Sequence, residues 1–155
     1  MGIENDRDKR ISSGIRAALR PAFAAALAVS QFTSHRGGIL TPNIAITGLG
    51  ALVTLVGIWL WAEAARHLRR ARAAEIVATT GPYRFVRHPV YVSMYLICIG
   101  LGLMFFAWLW FVVLLTFFPF WWLEAKAEET VMIQLYGEAY VRYQRQTAMW
   151  LPGIL

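Results

Sequence analysis

Charge-free runs alternate with short basic stretches along this chain, and the alternation predicts a few long apolar helices. Residues 1–14 form a polar tail that mixes acids with bases (Glu4, Asp6, Arg7, Asp8, Lys9, Arg10). An apolar segment follows over residues 15–34. Its charge-free part, from Pro21 to Ser34, is shorter than the approximately 20 residues that cross a bilayer, so Arg16 and Arg20 are expected to run their stems along apolar surface to the interface. Beyond the turn His35-Arg36-Gly37-Gly38, Thr41-Pro42 offers an N-cap and a proline at the first helical position. Residues 43–62 then read as a second span with Trp59 and Trp61 at interface depth. From Glu63 the helix is expected to continue beyond the apolar layer, carrying Arg66, His67, Arg69, Arg70 and Arg72.

Pro89 to Leu123 runs without a charged residue. As one helix this stretch would be about 52 Å long at roughly 1.5 Å per residue, against a hydrocarbon core of about 30 Å. It is therefore expected to fold back near Ala107, with Trp108 and Trp110 at one interface and Trp121 and Trp122 at the other. Pro119 is a candidate kink in the returning arm. From Glu124 that arm leaves the apolar layer and runs to Gly137, a plausible C-cap. Met132, Leu135, Ala139 and Tyr143 then repeat at helical spacing and predict one apolar stripe.

Composition agrees with this pattern. Of 155 residues, 58% are hydrophobic, and seven Trp, nine Phe and six Tyr cluster beside the charge-free runs. Mean hydropathy is +0.49. A soluble domain this small could not bury so much apolar surface, so the expected class is an integral membrane protein. No secretory signal peptide is expected, since the N-terminus mixes acids with bases and shows no clear small-residue cleavage site. The single cysteine, Cys98, excludes an intrachain disulfide and reads as a packing thiol. Gly48, Gly50, Gly100 and Gly102 fall inside spans with no strand before them, so they read as helix-packing positions and not as a nucleotide fingerprint. No His or Cys cluster has metal-ligand spacing, and no metal is expected.

The formal net charge is +6, but the bases sit at the ends of apolar segments rather than along one soluble face. That distribution argues for membrane orientation and against a nucleic-acid partner. Lys and Arg number five in residues 1–20, one in the first turn, six from Arg66 to Arg87, none at the hairpin tip and three after Leu123. The expected architecture is all-α: a polytopic bundle of about four transmembrane helices, both termini cytoplasmic, with a cytoplasmic C-terminal helical cap. It is expected to be one domain over 1–155, with two N-terminal spans (15–62) and a functional part (75–152) built on the hairpin 89–123.

The hairpin also predicts where chemistry gathers, because two spans return the chain to the side it left. The stretch Gly81 to Leu96 changes from basic and aromatic to apolar at Pro89, a proline at the first turn of a helix. Arg84, Arg87 and His88 are thereby expected to face Glu128 and Glu129 across one rim, with Tyr83 and Tyr91 beside them. Such a rim offers cations for a carboxylate, carboxylates for an ammonium or ribose hydroxyls, and aromatic faces for a flat base. It suits a zwitterionic nucleoside.

These residues carry a family resemblance. The pattern G-x-Y-x-x-x-R-H-P-x-Y from Gly81 to Tyr91, then E-E-x-x-M-x-x-x-Y-G-E-x-Y-x-x-Y from Glu128 to Tyr143 and a late proline, Pro152, resembles the isoprenylcysteine carboxyl methyltransferase family. That superfamily also holds phospholipid N-methyltransferase-like and thiol methyltransferase-like membrane enzymes. The resemblance covers roughly Glu75 to Pro152. It implies S-adenosylmethionine bound on the cytoplasmic side, with candidate cofactor residues Glu75, Ile76, Val77, Ala78, Tyr83, Arg87, His88, Pro89, Tyr91 and one of Glu128 or Glu129. It also implies methyl transfer to a lipophilic or membrane-partitioned acceptor, a carboxylate, thiol or amine. Family members that hold a prenylcysteine carboxylate are expected to place an arginine about a turn before the double glutamate. Here Trp121, Trp122, Leu123 and Glu124 stand there, with Lys126 the nearest cation, so prenylcysteine is not the expected acceptor.

The residues leave competing readings. An Arg-rich run after a span is usually an orientation signal, the reading given to Arg66–Arg72. Glu128 and Glu129 could be the solvated start of an amphipathic helix, and His88 an interfacial hydrogen bonder. Membrane sterol reductases share an R-H-P region and use a nicotinamide cofactor, but their chains are longer and the Y-G-E-x-Y pattern favours methyl transfer. A non-catalytic scaffold subunit would leave the charged rim without a purpose. No side chain is assigned as a catalytic base.

Overall fold

The computed structural model describes residues 18–33 and 43–152. The polar tail of residues 1–14 and the turn through Thr41-Pro42 lie outside the described residues. The architecture is all-α: α1 (described over residues 18–33), α2 (Ile44–Ala73), a single 3-10 turn (Gly81–Arg84), α3 (Pro89–Met104), α4 (Trp108–Tyr136) and α5 (Glu138–Gln146). Among the described residues the one β feature is an isolated parallel bridge between Val86 and Ala148.

Asn43, rather than Thr41, caps α2. Its side-chain oxygen accepts from the N–H groups of Ala45 and Ile46 at 2.9 and 3.3 Å, satisfying two donors that the first helical turn leaves unpaired. With 30 residues α2 is about 45 Å long and carries its arginine-bearing turns beyond an apolar layer of about 30 Å. Two helices, α2 and α4, are long and apolar enough to cross a membrane, and α3 is a shorter apolar helix. Their outer faces are not covered by protein: Leu52, Leu55 and Trp59 of α2 and Leu115 of α4 are each at least 60% exposed. A contiguous belt of such side chains matches lipid rather than water.

The hairpin reverses at Ala107, which is the N-cap of α4, through a Phe106 in the left-handed region (φ 54°). Pro119 sits inside α4 without ending it, and α4 runs on to a C-cap at Gly137, whose φ of 55° suits glycine. α2 and α3 cross closely enough to require glycine. A Cβ on Gly50 would stand 2.6 Å from the Gly100 carbonyl, and one on Gly57 would stand 2.8 Å from Ile97. Gly102 meets Trp110 and Phe111 of α4 at ordinary contact distance, whereas Gly48 has nothing within 4 Å and is not a packing position.

Two separate apolar clusters result. One joins Phe23 of α1, Tyr91 of α3, Leu114, Trp121 and Ala125 of α4, and Met149 and Trp150 of the C-terminal segment. The other joins Ala64 of α2 with Tyr83, Tyr140 and Tyr143. Trp121 is a correction to the interfacial expectation. Adjacent helical positions point about 100° apart, so Trp122 faces out at 39% exposure while Trp121 turns inward at 7%, edge-on to Phe23 at 5.5 Å. The C-terminal stripe also differs. Leu135 and Ala139 are exposed, and the inward set is Met132, Tyr136, Tyr140 and Tyr143, a face one position later at each of the two places, since adjacent helical positions point about 100° apart.

Candidate active site

Between the two clusters lies a cavity of about 680 Å³. That is within the roughly 300–1,000 Å³ usual for small-molecule sites. Its walls come from every helix, and the local reason is a stack of turns around Gly81. Gly81 takes φ +62°, and a Cβ there would stand 2.5 Å from the His67 ring. Thr80 beside it meets His67 Nδ1 at 2.9 Å, tying the loop to α2. The 3-10 turn then presents Tyr83 inward, and Tyr143 of α5 donates its hydroxyl to the Tyr83 carbonyl at 2.6 Å.

Arg87 is the brace of the site. Its Nε donates to Glu129 Oε1 at 2.7 Å, and its Nη1 donates to the carbonyls of Gln144, at 2.7 Å, and Thr147. The backbone repeats the connection, with Arg87 N–H donating to Ala148 at 2.8 Å and His88 N–H to Met149 at 3.2 Å. One side chain thus joins the loop before α3, the C-terminal part of α4, and the end of α5. Gln144 Nε2 donates to the second Glu129 oxygen at 3.0 Å, and His88 Nε2 donates to the first at 3.3 Å. Glu129 is 3% exposed and fully occupied by protein donors.

Glu128 faces the other way. Its side chain is 43% exposed and lines the cavity, with Oε1 accepting from the Tyr91 hydroxyl at 2.8 Å and Oε2 3.7 Å from His88 Nδ1. His88 stands between the two carboxylates, 7% exposed, with its ring 5.6 Å from Tyr91. Tyr91 in turn packs on Trp150 and Trp121 at 5.5 and 5.8 Å. Burial pushes the Tyr83 phenol up to about 12 against a smaller opposing effect of Arg72. Burial likewise raises Tyr140 and Tyr143. These rings are neutral hydrogen-bonding and stacking surfaces at neutral pH.

Of the residues singled out from sequence, Ile76, Val77, Ala78, Tyr83, Arg87, His88, Tyr91 and Glu128 line this cavity. Three do not. Glu75 sits just before the lining strip with φ 53°, Pro89 is fully buried at the start of α3, and Glu129 lies behind His88. Arg84 also departs from the expected rim: it is exposed and lies over the Phe85 ring at 5.2 Å.

Sequence reasoning missed other lining residues. Arg72 belongs to the arginine run that carries the orientation signal, yet it lines the cavity with Leu68, one turn earlier on the same face of α2. Met132 and Tyr143 of the predicted stripe line the cavity, and Tyr136 and Tyr140, at spacings of four from Met132, take the places expected for Leu135 and Ala139. Arg20, Phe23 and Ala24 bring α1 to the cavity, and Trp121 completes that side. Among the described residues no group of three or more His, Cys, Asp or Glu is arranged to hold a metal ion.

A family model described as phospholipid methyltransferase matches residues 45–139, more than half of the chain. The match runs from the start of α2 into α5 and takes in Gly81–Tyr91, Glu128 and Glu129. No curated protein and no solved structure matches the chain.

Proposed function

The chain belongs to the phospholipid methyltransferase family, and from that premise we propose that it is a membrane methyltransferase that uses S-adenosylmethionine and methylates a lipophilic acceptor. The observation that carries the reading is the cavity of about 680 Å³ between two unlike apolar walls, with Glu128 and His88 on its lining and lipid-facing helices around it. The donor set fits the cofactor. Glu128 is a carboxylate with exposed surface for an ammonium or ribose hydroxyls, Arg72 is a cation for a carboxylate, and Tyr83, Tyr136 and Tyr140 are aromatic faces for a base.

When bound, the cofactor supplies a methyl group on a positively charged sulfur, which keeps the carbon–sulfur electron pair as the acceptor's lone pair takes the carbon. The residues contribute position and environment. The Arg87–Glu129 brace holds His88 and the Glu128 turn at fixed separation, and aromatic packing around Tyr91 excludes water from one side. A low-dielectric surrounding favours a step in which opposite charges merge. An anionic acceptor needs no base, whereas a neutral amine or thiol must also release a proton. Glu128 is the lining carboxylate able to accept one. All eleven cofactor candidates belong to one unit in this proposal, with Glu129, Pro89 and Glu75 acting through the backbone and side chains they hold. The proposed placement is multi-pass, four spans, with both termini and the site cytoplasmic.

Isothermal titration of the detergent-solubilised protein with S-adenosylhomocysteine and with NADPH tests the cofactor. The expected result is saturable binding of the first and none of the second. Binding of NADPH alone would point to reductase chemistry, and binding of neither to a non-catalytic subunit. Transfer of radiolabelled methyl from the cofactor into an organic-extractable product tests the acceptor class.

A further inference from the structure

The cavity's two walls differ in the state of their arginines. On one side Arg87 has its Nε and Nη1 engaged by Glu129, Gln144 and Thr147, so it is a fixed brace with little left for a ligand. On the other side Arg20, on α1 and outside the family-matched residues, lines the cavity beside Phe23 and Trp121. Its side chain is 64% exposed, and among the described residues it makes one hydrogen bond, from Nη2 to Glu124 Oε1 at 3.3 Å. A charge-assisted bond of this type is normally about 2.7–2.9 Å, and a guanidinium carries five donors. The Arg20–Glu124 pair is loose, and most of the Arg20 donors remain for another acceptor.

The neighbours of Arg20 indicate what that acceptor carries. Phe23, Met94 and Trp121 offer an apolar track, and the Trp121 indole N–H is buried with no partner among the described residues. Glu128, the half-exposed carboxylate on the lining, accepts from the Tyr91 hydroxyl, so the cavity presents a negative group beside Tyr91 and a positive one on the α1 side. We propose that Arg20 is a specificity-determining residue that receives an anionic oxygen group at the head of an apolar chain. Glu124 holds the guanidinium at the cavity wall until that group displaces it. The assignment deepens the methyltransferase reading and rests on it for the identification of this side as the acceptor's.

The test uses the full chain in dodecyl maltoside, with dodecyl phosphate, inorganic phosphate and dodecyltrimethylammonium as probes and S-adenosylhomocysteine titrated in parallel. Dodecyl phosphate is expected to bind saturably and Arg20→Gln to weaken it on the order of tenfold. Glu124→Gln is expected to bind it at least as tightly as the unaltered protein, since the competitor for the guanidinium is gone. The ammonium probe is expected to be indifferent to Arg20→Gln, and inorganic phosphate to bind far more weakly than its dodecyl ester. Equal dodecyl phosphate affinity in the unaltered protein and Arg20→Gln, or weaker binding in Glu124→Gln, would overturn the assignment. Inorganic phosphate binding as tightly as the ester would overturn the apolar-chain part of it. Loss of S-adenosylhomocysteine binding in the unaltered protein, with dodecyl phosphate still dependent on Arg20, would instead remove the methyltransferase reading and leave an anionic-amphiphile site.

Discussion

Arg87 and Glu129 form a 2.7 Å ion pair with both side chains less than a tenth exposed, and the two residues are 42 positions apart in the chain. Such a pair gives limited net stability when intact, because taking two charges out of water is costly. Removing one partner leaves the other charge buried and unmatched, typically at about 3–5 kcal/mol. Here the remaining donors and acceptors, Gln144 and the carbonyls of Gln144 and Thr147, tie three chain segments to the same point.

Glu129→Ala is therefore expected to lower unfolding stability by about 3–5 kcal/mol. Glu129→Gln, which keeps an oxygen for Arg87, is expected to lose less. Thermal unfolding of the purified variants in detergent checks both. A Glu129→Ala variant as stable as the unaltered protein, with only its cofactor affinity reduced, would mean that Glu129 is a ligand rather than a brace.

Gly81→Ala tests how the loop is held. The position has φ +62°, which costs a residue with a side chain roughly 1–2 kcal/mol, and the new methyl would stand 2.5 Å from the His67 ring. The expected result is a clear drop in stability that His67→Ala partly relieves by removing the clash. Gly48→Ala is the control. Nothing lies within 4 Å of that position, and replacing glycine inside a helix by alanine is expected to gain about 0.5–1 kcal/mol. Unfolding midpoints of Gly81→Ala, His67→Ala, the variant carrying both, and Gly48→Ala in one detergent decide it.

The helical course and the hairpin turn at Ala107 were legible because charge-free length and proline or glycine punctuation are local signals. The facing of individual side chains was less so. Trp121 and Trp122 are equivalent in composition, and only the phase of α4 against α1 separates a buried ring from an exposed one. Arg72 resembles its arginine neighbours in every local respect, yet it lies on the α2 face that turns toward Tyr83. Arg20 lies outside the motif region, and only the packing of Phe23 on Trp121 brings it to the cavity. The motif points to one of Glu128 or Glu129 without saying which. The backbone geometry of α4 determines which one points where.

Glu128→Gln follows from that difference. Glu128 is the half-exposed member on the cavity lining, holding the Tyr91 hydroxyl at 2.8 Å. A charge-assisted hydrogen bond is worth about 1.5–3 kcal/mol, so S-adenosylhomocysteine affinity is expected to fall on the order of ten- to a hundredfold. Stability is expected to change little, since the amide oxygen still accepts from Tyr91. Calorimetric titration and an unfolding curve on the same preparation separate the two effects. Unchanged affinity would remove Glu128 from the cofactor's contacts.

His88→Ala against Arg70→Ala is the sharpest comparison, because both are basic residues on the segments flanking the cavity and only one lines it. His88 is 7% exposed, with Nε2 on Glu129 at 3.3 Å and Nδ1 3.7 Å from Glu128. Its removal leaves Glu129 with Arg87 and Gln144, so the brace survives and the fold is expected to hold. What is lost is the imidazole wall between the carboxylates, at the N-cap of α3, where a helix start favours an anion such as a bound carboxylate. S-adenosylhomocysteine affinity is expected to fall on the order of tenfold or more, and methyl transfer with it. Arg70 is exposed and absent from the lining, so Arg70→Ala is expected to bind and unfold like the unaltered protein. If His88→Ala binds S-adenosylhomocysteine normally, or Arg70→Ala loses binding while still folded, the cofactor does not sit where the R-H-P turn meets Glu128.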